Sequence, residues 1–247
     1  MARALAMLDA LATSDRGLGV NELARRIGVN ASTASRLLAT LEGGGLVERA
    51  PGGPYRLGLK LVALSDRVLA RLDVRERGRP WLEWLVAQTG ETATLSVPSS
   101  GEAITVDFVP SPSSVVSLAR VGRPSVPHAT AVGKVMLAFA SPAARPQIST
   151  RLEAFTDDTI TDPPVLAREL DRVREQQIAE AVGEREPDLT GLAAPVLGRG
   201  WELVAILGLQ GPSTRLPAAK RRGLVESLRR AARELSRSLG APELDAP

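Results

Sequence analysis

Cysteine is absent from this chain of 247 residues, histidine occurs once, and aromatic side chains make up only 3%. Without cysteine there is no disulfide framework, no thiolate ligand for zinc or an iron–sulfur cluster, and no thiol nucleophile. A single imidazole, His128, excludes a metal site built on several histidines. The shortage of aromatics leaves Leu, Val and Ala to fill the core. Long apolar runs are missing too. No stretch of about 18 uncharged apolar residues occurs, so no transmembrane helix and no membrane partner are expected. Asp9 interrupts the apolar N-terminus and no small-residue cleavage pattern follows it. A signal peptide is therefore not expected, and the cytoplasm is the expected compartment.

What is present is ordinary for a globular chain, with 44% hydrophobic and 24% charged residues. The length suits one large domain or two ordinary ones, each with its own core. The charge is unevenly spread: residues 1–73 hold ten basic and seven acidic side chains, and the remainder is balanced. An excess of three positive charges at one end agrees with phosphate binding there, though weakly by itself.

The N-terminal pattern is the more specific signal. Leu5, Leu8, Leu11 and Ala12 have helical spacing. After the loop Asp15–Gly19, Asn21 is positioned to cap a second helix with Leu23, Ala24 and Ile27 inward. Gly28 supplies a turn that needs positive φ. Asn30 or Ser32 then caps a third helix with Ala34, Leu37, Leu38 and Leu41 inward. Gly43, Gly44 and Gly45 end it. Leu46–Arg49 and Tyr55–Leu57 read as strands about a Gly/Pro turn. Three helices and a hairpin make a winged helix-turn-helix. With the leucines buried, the outward positions of the third helix include Ala31, Ser32, Thr33, Ser35 and Arg36. Ser and Thr can bond phosphates or bases, and Arg36 can bind guanine bidentately. Arg49, Tyr55 and Arg56 are the candidate wing contacts, with ordinary surface charge as the bland alternative.

Beyond the wing, Leu59–Leu72 reads as a linker helix whose apolar face suits pairing with a second subunit. A helix over Val74–Gln88 contains Pro80, which could instead start a separate helix. Thr92–Val97, Ala103–Val109, Ser114–Leu118, Leu192–Val196 and Leu203–Leu209 read as strands. Thr130–Ala140, Asp162–Ala179 and Ala218–Leu239 read as helices. Strands between helices define an α+β sheet domain. The expected division is a DNA-binding domain over 1–58, a linker helix over 59–73, a sheet domain over 74–240 and a tail over 241–247.

These residues resemble the IclR-type bacterial transcriptional regulators, and the likeness covers nearly the whole chain. GVNELARRIGVNASTASRLLATLEGGGLVERAPGGPYRLGLKLVAL looks like the family's helix-turn-helix, wing and linker entry. GRPSVPHATAVGKVMLA resembles its Thr/Ser–x–x–Gly–Lys segment, and Glu184–Val196 with LVAILGLQGP resembles the end of its effector-binding domain. The resemblance implies a GAF-like sheet domain that binds small organic acids, and dimers that often pair into tetramers. It also departs from the pattern. Gly191 stands where a Cys or other polar residue is usual, Gly208 and Gln210 stand where serines are common, and an aromatic near Ile178 is missing.

The start of the Thr130–Ala140 helix offers Thr130, Ala131 and Val132 to an anion, through free N–H groups and the helix dipole. Gly191, Gly208 and Gln210 face them by resemblance. With Thr130 and Gln210 as the polar groups, the pocket should be larger and less polar than a small-acid site, taking a bulkier metabolite or none. His128 has no nucleophile-elbow pattern beside it and reads as structural or rim-facing. Gly133-Lys134 lacks the spacing of a phosphate loop. It reads as a close-packed helix start followed by a structural or rim lysine. The run Lys220–Arg222 with Arg229, Arg230, Arg233 and Arg237 reads as a solvated helix face. The sequence thus describes a non-enzymatic regulator without cofactor. Its expected partners are a pseudo-palindromic DNA operator, a small effector and further copies of itself. The alternatives are a sensor domain that only oligomerises, or an enzyme fused to a DNA-binding module.

Overall fold

The structure, a computed structural model, describes residues 1–50, 53–69, 73–99, 101–113, 119–140 and 152–242. It divides into two compact units, Met1–Arg71 and Leu72–Pro247.

The first unit runs α1 (Ala2–Ala12), α2 (Val20–Arg26), α3 (Ala31–Gly43), β1 (Val47–Arg49), β2 (Tyr55–Leu57) and α4 (Lys60–Leu69). Gly28 turns between α2 and α3 at φ +67°, a conformation that favours glycine although a Cβ there would meet nothing. Extended Gly19, rather than Asn21, precedes α2, so Asn21 lies inside the first turn. Asn30 is the cap of α3: its Oδ1 accepts from the Thr33 amide at 2.8 Å and from the Ser32 hydroxyl at 2.9 Å. Asn30→Ala should cost the unit about 1 kcal/mol in a denaturant titration. A change below a few tenths would show that the cap contributes nothing. Leu23, Ala24, Ala34, Leu38 and Leu41 pack with Met7, Leu11, Leu18, Val47 and Tyr55, while Leu37 is only partly buried.

The second unit begins with α5 (Asp73–Thr89), which continues through Pro80 as one helix. Its buried face explains this. A Cβ on Gly78 would lie 2.8 Å from Leu95 and 3.6 Å from Leu235, so the helix is pressed onto the sheet and the last helix just before the proline, and Leu82 and Leu85 are buried just after it. Strands β3 (Thr92–Ser99), β4 (Glu102–Val109), β5 (Pro124–Ser125), β6 (Ala179–Val182), β7 (Leu189–Leu197) and β8 (Leu203–Pro212) form one sheet in the order β5-β4-β3-β8-β7-β6. All its pairings are antiparallel. Helices α6 (Ala131–Phe139), α7 (Pro163–Gln176) and α8 (Ala218–Ser238) complete the unit.

Side chains alternate across the sheet. Leu95 faces α5 and α8, whereas Thr94 and Gly208, its partner in register, face α6. On the α6 side, Val135, Met136, Leu166, Leu170 and Val173 are buried against Ala181, Ala193 and Ile206. Helix α7 stops at Gln176, and Gln177 is left-handed at φ 52°, so Ala179 begins β6 instead of ending the helix. The short β5 and β6 carry no sequence period long enough to reveal them. The expected strand over 114–118 lies outside the described residues.

Candidate nucleic-acid interface and ligand pocket

On α3, Ala31, Ser32, Ser35 and Arg36 are exposed and Thr33 is half-buried. The cap already engages the Ser32 hydroxyl and the Thr33 amide. The Arg36 guanidinium has no partner among the described residues, whereas Arg26 on α2 is paired with Glu22 at 2.7 Å. On the hairpin, Arg49 and Arg56 are exposed. Arg49 lies over the Tyr55 ring at 5.7 Å, and Arg56 is paired with Glu48 at 2.6 Å.

Tyr55 is a correction to the sequence reading. It is only 9% exposed and belongs to the core of the first unit. Leu18 and Tyr55 exchange backbone hydrogen bonds of 2.9 and 2.8 Å, which draws the ring inward. Its place in the core seats the wing, and Arg49 and Arg56 are the candidate wing residues left exposed.

In the second unit, Thr130, Ala131, Val132, Gly191, Gly208 and Gln210 all line one cavity of about 130 Å³ between α6 and the sheet. Thr130 caps α6: its hydroxyl donates to Val126 O at 2.8 Å and accepts from the Gly133 amide at 3.0 Å. Because that hydroxyl is engaged, Thr130 contributes the position of the helix end rather than a ligand contact of its own. The amides of Ala131 and Val132 are what this end presents. A Cβ on Gly191 would come no closer than 3.7 Å to Ala131, but one on Gly208 would meet Thr94 Oγ1 at 2.5 Å.

The pocket is more polar than the sequence implied. Thr94, Thr105, Arg120, Arg123, Arg185 and Glu186 also line it. Periodicity exposes residues of the cavity's regular elements, but the arginines lie in connecting segments, where no period marks an inward side chain. Register alone could have found Thr94, since it pairs with Gly208.

Behind the cavity, one residue into α6 from the close-packed Gly133, Lys134 is buried at 1% exposure. Its Nζ lies 2.6 Å from Glu184 Oε1, 3.0 Å from Glu180 O and 3.6 Å from Glu169 Oε1. Burial holds the Glu184 carboxyl above the usual range, with Lys134 acting against it. Burial also pushes Glu169 upward, but Arg172 and Lys134 outweigh it and keep that carboxyl low. Thr156 and Thr159 donate at 2.6 Å to the carbonyls of Gly183 and Glu184, clamping the loop that carries Arg185.

His128 is buried with Nε2 2.9 Å from Glu153 O and its ring beside Phe155. On α8, Arg221, Arg229 and Arg237 are paired with Glu180, Glu226 and Glu234, and Arg230 lies over Trp84. Among the described residues no cluster of His, Cys, Asp or Glu is arranged to hold a metal ion. No described helix is long and apolar enough to cross a membrane.

A winged helix-turn-helix followed by a pocketed antiparallel sheet unit is the build of a DNA-binding transcriptional regulator. Profile comparison sharpens that class. Residues 1–51 match the IclR helix-turn-helix domain, and residues 66–237 match the bacterial transcriptional regulator IclR C-terminal domain. The regulator XynR of Escherichia coli is 31% identical over 97% of this chain and 96% of its own. The glycerol operon regulatory protein of Streptomyces griseus is 34% identical over 97% and 95%. Among solved structures, an IclR homologue from Microbacterium hydrocarbonoxydans, complexed with 4-hydroxybenzoate, superposes with a TM-score of 0.82 at 29% identity, covering 96% of this chain and 98% of that one. Thermotoga maritima IclR gives 0.74 at 28% identity over 97% and 98%. The chain belongs to the IclR family of transcriptional regulators.

Proposed function

We propose that this protein binds a pseudo-palindromic operator through α3 and the wing, and that a small organic acid in the second unit controls that binding. The observation carrying the effector half is the convergence of the start of α6, Gly191 of β7, and Gly208 and Gln210 of β8 on one cavity at the N-terminal end of α6. The ligand found in the Microbacterium relative supports a carboxylic acid as the class. An open cavity weighs against a second unit that only oligomerises. In this reading 1–58 reads DNA, 59–73 links, and 74–240 senses. Leu59, Val62 and Leu64, exposed on and beside α4, favour pairing with a second copy, as a dimer or dimer of dimers. Effector binding then shifts the populations of two arrangements of the paired DNA-binding units.

Two measurements test this. Arg36→Ala should weaken operator binding by about 1–3 kcal/mol at fixed salt and relax preference at one base position. A uniform loss across unrelated sequences would make Arg36 a phosphate contact instead. Thermal-shift titration with aliphatic and aromatic acids should give saturable stabilisation together with a change in operator affinity. Stabilisation by none of them would overturn effector control.

A further inference from the structure

The lining of the cavity carries two kinds of polar group. Thr94 is only 6% exposed, and among the described residues no hydrogen bond engages its hydroxyl. It lines the cavity at Gly208, where the missing Cβ leaves room for Thr94 Oγ1. Ala131 and Val132 line the same cavity, and their amides stand ahead of the first intrahelical bond, which runs from the Lys134 amide to Thr130 O. Two N–H donors at a helix end and a hydroxyl able to donate make a seat for one oxyanion. A buried hydroxyl left without a partner is costly, and a ligand oxygen there would satisfy it.

The same lining includes Arg120, exposed, and Arg185, half-buried. Neither has a carboxylate within ion-pair distance among the described residues. Arg185 is positioned by an aromatic face, its guanidinium lying 4.1 Å from the Phe155 ring centroid. Stacking of this kind orients the planar fork and leaves its N–H edges free for an oxyanion. Arg123 and the acid Glu186 line the cavity as well. An anion seated on the helix end alone leaves Arg120 and Arg185 without an anionic partner among the described residues.

We propose that the effector carries two oxyanionic groups. One sits on Thr94 and the amides of Ala131 and Val132, and the other pairs with Arg185 and Arg120. The inference rests on the reading of this cavity as the effector site. It fixes the ligand class as a diacid, with carboxylate or phosphate as the second group.

Isothermal titration of the full chain at constant ionic strength tests it, using matched pairs: succinate with butyrate, glutarate with valerate, and adipate with hexanoate. At least one diacid should bind about tenfold or more tightly than its monoacid partner. Arg185→Gln should erase most of that advantage by weakening the diacid far more than the monoacid, and Arg185→Lys should restore part of it. Thr94→Val should weaken diacid and monoacid alike. Phosphonopropionate binding tighter than succinate identifies phosphate as the second group, and the reverse order identifies carboxylate. Monoacids binding as tightly as their diacid partners would sink the two-anion proposal and leave effector control standing. So would an equal loss of both classes in Arg185→Gln. If no acid of either class binds or alters operator affinity, the effector reading falls with it.

Discussion

Lys134→Met should cost about 3–5 kcal/mol of folding stability, because it strips the partner from a buried carboxylate while leaving the carboxylate in place. Glu184 Oε1 sits 2.6 Å from the ammonium, and its Oε2 has no hydrogen-bond partner among the described residues. Glu169 stays neutralised by Arg172 at 2.7 Å, so the damage concentrates on Glu184. The loss should therefore depend on pH with a definite sign. Burial already raises the folded-state pKa of Glu184, and removing Lys134 takes away the main influence opposing that rise. A carboxyl with a raised folded pKa binds more protons folded than unfolded. The variant should accordingly regain stability as pH falls through that raised pKa and lose it as pH rises. Denaturant titrations at several pH values measure this directly. Adding Glu184→Gln should recover a substantial part of the loss at neutral pH. A Lys134→Met protein as stable as the parent at all pH values would show that the buried pair contributes nothing.

Gly133→Ala is the second large effect. The added Cβ would stand 2.3 Å from Val126 O, 2.5 Å from Pro127 O and 2.6 Å from Pro127 Cα. All three are backbone atoms, so no side-chain rotation relieves the overlap and α6 must move away from the 126–127 segment. Overpacking of this kind costs up to about 3 kcal/mol, and more where backbone cannot yield. The shift also displaces the Ala131 and Val132 amides, so acid binding should fall with stability. Gly191→Ala is the matched control, since its Cβ meets nothing closer than 3.7 Å and the fold should be unaffected. A Gly133→Ala protein melting with its parent would show that this close approach is dispensable.

Much of the architecture was legible in the chain because its elements carry clear periods. Leu23, Ala24, Ala34, Leu38 and Leu41 marked the inner faces of α2 and α3, and the apolar runs at 192–196 and 203–209 marked the central strands. The side chain of Asn30 could be placed before α3 because capping is local chemistry. Tertiary effects were not legible. Nothing in the sequence around Tyr55 announces that Leu18 will bond to it and turn its ring inward. Thr130 lines the cavity as the sequence suggests, but that its hydroxyl closes its own helix was not legible. The arginines of the pocket escaped notice because Arg120, Arg123 and Arg185 sit in connecting segments. Their inward direction is set by what surrounds them, such as Phe155 beneath Arg185. Lys134 lies among apolar neighbours on a helix, and only the fold supplies Glu184 to it.

The glycines around the cavity divide its walls into one that evolution can rewrite and one that it cannot. On the helix side, Gly133 is hemmed in by backbone and Lys134 is tied to a buried acid, so single substitutions there threaten the fold itself. On the sheet side, Gly191 accepts a methyl group without contact closer than ordinary packing, and each larger residue would shorten the space available to a guest. Relatives sharing this scaffold can therefore reshape the cavity at the Gly191 position of β7, whereas a Cβ at Gly208 of β8 would meet Thr94 Oγ1 at 2.5 Å. On the proposed effector reading, a short series at Gly191, from Ala through Ser to Val, would admit progressively smaller ligands and leave the DNA-binding unit untouched.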